Sequence, residues 1–230
     1  YYRRALNDSD GIAGPQFIDQ ELAMPSLLGS HKLQAVTDES DGPPLVAITS
    51  LSENSQRIRI HCLSEIGSPF IKNIELLPNE TLLTSGCSER TVHGSDIQDF
   101  NHNFNPKSKR TYGITVSSDA MPGSFAAFGL APHSDRDAIR FSSVNFFDPK
   151  MIMSTTSVFT GVPVGQTPWL GSARYLPVLS LANFSEKAVH VVVHYSVTEE
   201  DNPASHDIRK ITVAARSTLT LPLEGLEGNR

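Results

Sequence analysis

The chain has 230 residues, 39% hydrophobic and 19% charged, and its 19 Lys and Arg against 25 Asp and Glu leave a net charge of −6. That length suits one large all-β domain or two ordinary ones, and the chain lacks the Ala, Glu, Lys and Leu excess of a helical protein. Sequence-independent binding to nucleic acid needs clustered Lys and Arg to neutralise phosphates, and no basic block is present, which argues against that partner.

No run approaches 18 consecutive apolar residues, so no helix is expected to span a bilayer. The chain opens Tyr1-Tyr2-Arg3-Arg4 rather than on Met, which points to a signal or membrane segment upstream or to a cut at that place. Asn-x-Ser/Thr triplets begin at Asn7, Asn79 and Asn183. They bear on the argument only if the source glycosylates its secreted proteins.

Residues 1–30 read as a leader or arm tied loosely to the fold, with Phe17, Ile18, Leu22 and Leu27 able to cover one end of it. From His31 onward, strands follow closely. Lys32 to Thr37 and Leu45 to Ser50 flank a dense set of turn formers, Asp38-Glu39-Ser40-Asp41-Gly42-Pro43. In Gln56 to Leu63, Ile58, Ile60 and Cys62 point one way and Arg57, Arg59 and His61 the other, the two-residue period of a half-buried strand. Phe70 to Leu77 and Glu80 to Thr84 are predicted as a strand pair around Pro78-Asn79. Ser85 to Arg110 is polar and reads as a long loop, a kind of segment that is usually functional or mobile. Strands resume at Tyr112 to Ser117, Ser124 to Leu130 and Ala138 to Phe147, with Met121-Pro122-Gly123 as a turn. A first β-sandwich unit over 31–160, a Gly/Pro-rich junction at 161–173 and a shorter second unit over 174–230 packed on the first follow from this pattern.

The second unit carries an internal repeat of the first. Leu45, Ile48, Ile58, Ile60 and Cys62 align with Leu176, Leu179, Val189, Val191 and Val193, and the turn at Ser52-Glu53-Asn54-Ser55 aligns with Asn183-Phe184-Ser185-Glu186. Six further residues in the next loop bring Ile74, Leu76, Thr81 and Leu82 onto Ile211, Val213, Thr218 and Leu219. Nothing in the second copy answers to Tyr112 to Phe147. A four-stranded piece of that size is marginal alone, so intimate packing against the first unit is expected. The order of a Leu-x-Asn-like turn, two strands, a Pro or Ala-Arg-Ser-Thr corner, then Gly-Ile-x-Val and Met-Pro-Gly-Ser-Phe-Ala-Ala-Phe-Gly resembles repetitive exported bacterial β-sandwich proteins, some with Ig-like modules. The likeness covers roughly residues 44–222 in turn and core patterns. It implies a surface or periplasmic location and a binding or structural role, and it supplies no catalytic residue.

Several residues are candidates for chemistry. Cys62 lies on the inward phase of its strand and Cys87 just past the last strand of the same repeat; they form a disulfide if their Cα atoms come within about 7 Å, and are otherwise two unbonded thiols. His93, Asp96, Asp99 and His102 recur every third residue; His and carboxylate ligands suit zinc or another divalent ion, and a tight helical turn could gather two of them. A solvated loop is the plainer reading. His190 and His194 lie about 13 Å apart along one strand, too far to share an ion. Their place on an outer or interdomain face could instead make an interface pH-sensitive. Trp169, with Tyr175 nearby, suits either interdomain packing or stacking on a sugar ring. No G-x-S-x-G elbow, phosphate loop or H-E-x-x-H is present.

The sequence therefore predicts an all-β protein of tandem or fused antiparallel β-sandwiches, Ig-like, with little helix. It predicts no enzyme and no cofactor, but an extracytoplasmic interaction or structural module whose partner is another protein or a second copy of itself. A carbohydrate-binding accessory module using Trp169 and a metal-dependent enzyme using the 93–102 loop are the alternatives.

Overall fold

The computed structural model of the protein describes residues 31–40, 42–65, 69–88, 110–135, 138–151, 156, 165–166, 174–175, 178–199 and 202–223. Among them every sheet is antiparallel, and a single 3-10 turn at Pro149–Met151 is the one helical element. The first eight strands are β1 (Lys32–Ser40), β2 (Leu45–Ser50), β3 (Gln56–Ser64), β4 (Phe70–Leu76), β5 (Thr81–Ser85), β6 (Arg110–Ser118), β7 (Phe125–Asp135) and β8 (Ala138–Val144). They form two four-stranded sheets, in the orders β1-β6-β3-β4 and β5-β2-β7-β8.

The alternation along β3 explains why the two sheets meet. Ile58 and Ile60 are fully buried while Arg57 and Arg59 are exposed. Ile58 and Ile60 join Leu33 and Ala35 of β1 and Ile114 and Val116 of β6 on the inner face of the first sheet. Opposite them stand Val46 and Ile48 of β2 and Phe125 and Ala127 of β7, in one core with Val144 and Phe146. Each large aliphatic or aromatic side chain buried this way contributes about 1.5–3 kcal/mol. At one end Gln56, itself buried, donates from Nε2 to Ser50 Oγ (2.9 Å) and the Ser124 carbonyl (2.8 Å), and its Oε1 accepts from the hydroxyls of Ser118 (2.7 Å) and Ser124 (2.8 Å). One amide thereby closes the polar groups at that end of both sheets.

The strands predicted at Phe70 to Leu77 and Glu80 to Thr84 are present but do not pair with each other. β4 pairs with β3, and β5 pairs with β2 in the other sheet. Pro78-Asn79 is thus a corner between layers rather than a hairpin tip. Asn79 takes a left-handed φ of 56°, a conformation Asn tolerates, and the Glu80 carboxylate accepts the Leu77 N–H at 2.7 Å. Met121-Pro122-Gly123 is a turn as expected, closed by Ser124 N–H to Met121 O at 3.1 Å with Gly123 at φ 81°.

Two short strands, β9 (Gly165–Gln166) and β10 (Arg174–Tyr175), pair with each other. Four more follow: β11 (Val178–Asn183), β12 (Val189–Glu199), β13 (Asn202–Val213) and β14 (Ser217–Pro222). β11 pairs with β14 and β12 with β13, the same order in which β2 pairs with β5 and β3 with β4. The turn hydrogen bonds correspond too. Ser52 N–H to Ser50 Oγ and Asn54 N–H to Ser52 Oγ are matched by Ser185 N–H to Asn183 Oδ1 and Lys187 N–H to Ser185 Oγ. Asn79 is matched by Arg216, also left-handed at φ 50°.

This correspondence sets Ile58, paired with Ile74, beside Val191, paired with Ile211. By strand pairing, Ile58 corresponds to Val191 rather than to Val189, two residues from the alignment expected from sequence, and Ile74 corresponds to Ile211. A shift of two leaves every side chain on its own face, so apolar alternation alone cannot detect it.

The β11–β14 ribbon lies on the outer face of the β1-β6-β3-β4 sheet, against β6, β1 and β3. β6 is consequently buried on both sides: Ile114 and Val116 face the first core, and Thr111, Gly113 and Thr115 face the ribbon. Residues 1–30 and most of the 85–110 loop and of the 161–173 junction fall outside the described residues.

Candidate functional site

Four places gather polar or reactive groups, and the first is the seam under the ribbon. Thr111 Oγ1, fully buried, donates to Ser180 Oγ at 3.0 Å and, its single proton used, accepts from Thr220 Oγ1 at 2.7 Å. Thr218 Oγ1 returns a bond to the Thr111 carbonyl at 2.9 Å. Beside it the ribbon comes very close to Gly113: a Cβ there would stand 2.9 Å from Ala182 Cβ and 3.2 Å from the Phe184 ring. The threonine and serine hydroxyls of the seam bond to one another and the ribbon packs tightly on Gly113, so its work is attachment.

His61 sits at the margin of this seam on the outer face of β3. Its Nε2 is buried without a hydrogen-bond partner. Burial, then the positive charges of Arg216 and Lys32, push its pKa below the usual 6.5 and keep the imidazole neutral. Arg216 is itself ion-paired with Glu186. Across the strand, burial pushes the Tyr112 phenol up, with Arg110 pulling the other way.

The second place is a bond between layers. Cys62 of β3 and Cys87, just past β5, form a disulfide with Cα atoms 5.3 Å apart, tying the two four-stranded sheets together. As a cystine neither sulfur is a nucleophile or a metal ligand.

Third, Ser55, Gln56, Arg57, Asn73, Glu75 and Asp119 line an open groove of about 350 Å³. Asp119 accepts the Arg57 N–H at 3.1 Å, and Arg57 stands across the strand pair from Glu75. The groove thus gathers one arginine and two carboxylates beside the polar side chains of Ser55, Gln56 and Asn73. Fourth, His133 Nε2 lies 2.7 Å from Ser142 Oγ, a serine–histidine contact that sequence reasoning missed because it joins strands β7 and β8. Acyl transfer also needs an acid to orient the imidazole, and among the described residues no carboxylate is hydrogen-bonded to His133.

Of the residues singled out from sequence, His93, Asp96, Asp99, His102 and Trp169 lie outside the described residues. The backbone of Tyr175 pairs with Gly165 in β10–β9. His190 and His194 stand on the same face of β12, His190 Nδ1 2.9 Å from Thr212 Oγ1 and His194 across from Ile208. No group of three or more His, Cys, Asp or Glu placed to hold a metal occurs among the described residues. None of their helices is long and apolar enough to cross a membrane, which says nothing of strands.

What the described surface offers instead is the β12–β13 ribbon. No other strand pairs with it among the described residues, and it exposes Val189, Val192 and Ile208. No family model and no curated protein matches the chain. Among solved structures, the crystal structure of Thermotoga maritima 1070 is similar at 16% identity over 52% of this chain and 94% of that one, with a TM-score of 0.35. A likeness of that size bears on neither fold nor function.

Proposed function

We propose that the protein is a non-catalytic, extracytoplasmic interaction module. It is built as two related β-sandwich units in tandem, Ig-like in broad architecture, and associates with a second copy of itself through exposed strands. The observation that carries this reading is the β12–β13 ribbon, two long paired strands that expose Val189, Val192 and Ile208 and have no further strand beside them among the described residues. Such ribbons are marginal in water alone, and an edge strand can take up a neighbouring strand through its backbone. The Cys62–Cys87 disulfide suits an oxidising compartment. The matched pairing of β2–β5 and β3–β4 with β11–β14 and β12–β13 supports common descent of the two units.

Light scattering over a range of protein concentrations tests the reading. A native mass that rises with concentration is the expected result. A strict monomer throughout overturns self-association and directs the search to glycans, with Trp169 as the first residue to replace.

A further inference from the structure

The first unit supplies a template for what the second lacks. β3 has β4 on one side and β6 on the other, and β2 has β5 and β7. β12 and β11, which hold the places of β3 and β2, have only β13 and β14 among the described residues. Burial registers the difference. Gln56 is 3% exposed and Val189 in its place 41%; Leu45 is 2% exposed and Val178 38%. Ile58 is fully buried, and Val191 only half so.

The chemistry of the edges shows which of them is built to be covered. Proteins guard sheet edges that must stay single with charges, prolines and bulges. β13, which holds the place of the outer strand β4, carries Pro203, Asp207, Arg209 and Lys210. β12 (Val189–Glu199) has no proline and carries its one charge, Glu199, at its last residue, after the uncharged run VHVVVHYSVT. Among the described strands its main contacts are with β13, whereas β13 also meets β11 and β14. β11 is uncharged, but it is packed down on β1 and β6.

We propose that the open edge of β12 pairs antiparallel with β12 of a second copy. An antiparallel strand meeting itself about a two-fold axis is self-complementary and closes as a dimer. The result is a continuous sheet in the order β13-β12-β12-β13, four strands wide like each sheet of the first unit. This deepens the proposed self-association by naming its edge and symmetry.

Hydrogen–deuterium exchange on the full chain, dilute and concentrated, tests it beside the native mass. Amides of β12 should become protected as the mass rises to a dimer, while those of β1–β8 stay constant. Val192→Glu is the companion variant: Val192 faces Lys210 across the ribbon, so a carboxylate suits the hairpin yet puts a charge in the middle of the strand that a second β12 must join. It should remain monomeric at concentrations where the parent is a dimer, with unchanged circular dichroism. A mass that rises without β12 protection would overturn this edge and leave self-association standing. A monomer at every concentration would overturn both. Should Val192→Glu fail to fold, the exchange result on the parent chain decides alone.

Discussion

At the scale of single residues, the groups that matter most are those whose surroundings are assembled from distant parts of the chain. His61 is the clearest case. Arg216 and Lys32 are far from it in sequence, and only the docking of the β11–β14 ribbon brings Arg216 near. Its lowered pKa means that the unfolded chain binds a proton at pH values where the native one does not. The contribution is therefore complete above the unfolded value near 6.5 and is lost as pH falls from there toward the lowered native value. Thermal unfolding followed from pH 8 to pH 5 should show stability declining across that window, and His61→Gln should flatten the decline. A slope that His61→Gln leaves unchanged would assign the effect elsewhere. Asn183 shows the opposite economy. It is buried, its Nδ2 reaches the carbonyls of Lys187 (2.8 Å), Ala214 (2.8 Å) and Val213 (3.2 Å), and its Oδ1 accepts from Ser185, so a residue read from sequence only as a turn former fastens the end of β11 to the end of β13.

At the scale of elements, the contact between β6 and the β11–β14 ribbon depends on Gly113. A valine there would bring its Cβ against Ala182 Cβ, an atom fixed to the backbone that cannot swing aside. Overpacking of this kind costs about 1–3 kcal/mol, more than the better strand propensity of valine returns. Gly113→Val should accelerate amide exchange in β11 and β14 and leave β2 and β7 as they were. Unaltered exchange in the ribbon would mean that it is not seated on β6. The strands themselves were legible in the sequence, because alternation such as Ile58-Arg59-Ile60 in β3 is dictated by a sheet with one buried face. Which strands pair was not. The predicted pair around Pro78-Asn79 failed because a turn signal marks a change of direction and not whether the chain stays in its layer. The two-residue slip in the alignment of β3 with β12 arose because a period of two repeats itself after two. The candidate site suffered more: a ribbon is recognised as lacking neighbours only once the neighbours of its counterpart are known. The Ser142–His133 contact likewise exists only through cross-strand register.

At the scale of the molecule, two joints of different character hold three layers together. The first core is closed covalently as well as by apolar burial. Cys62 and Cys87 are 25 positions apart, and closing a loop of that length withdraws about 3–4 kcal/mol worth of freedom from the unfolded chain. Replacing both cysteines by alanine should lower the denaturation midpoint of β1–β8 accordingly, read by exchange of their core amides, and reducing agent should then have no further effect. An equal midpoint with and without the pair would show that the link carries no stability. The second joint, by contrast, is hydroxyls and close packing against the back of β6. That choice bears on how the molecule is made. The amino-terminal strands leave the ribosome first, and β6 is complete before any residue of β11 exists. While it waits, its outward row is Thr111, Gly113 and Thr115, with Leu63 of β3 and Val36 of β1 on either side of Gly113 and His61 beside Thr115, a strip that is part hydroxyl and part apolar. The small side chains of β6 later let the ribbon settle to within van der Waals distance, and its arrival covers Leu63, so the apolar part of that strip is hidden only once the last strands are made.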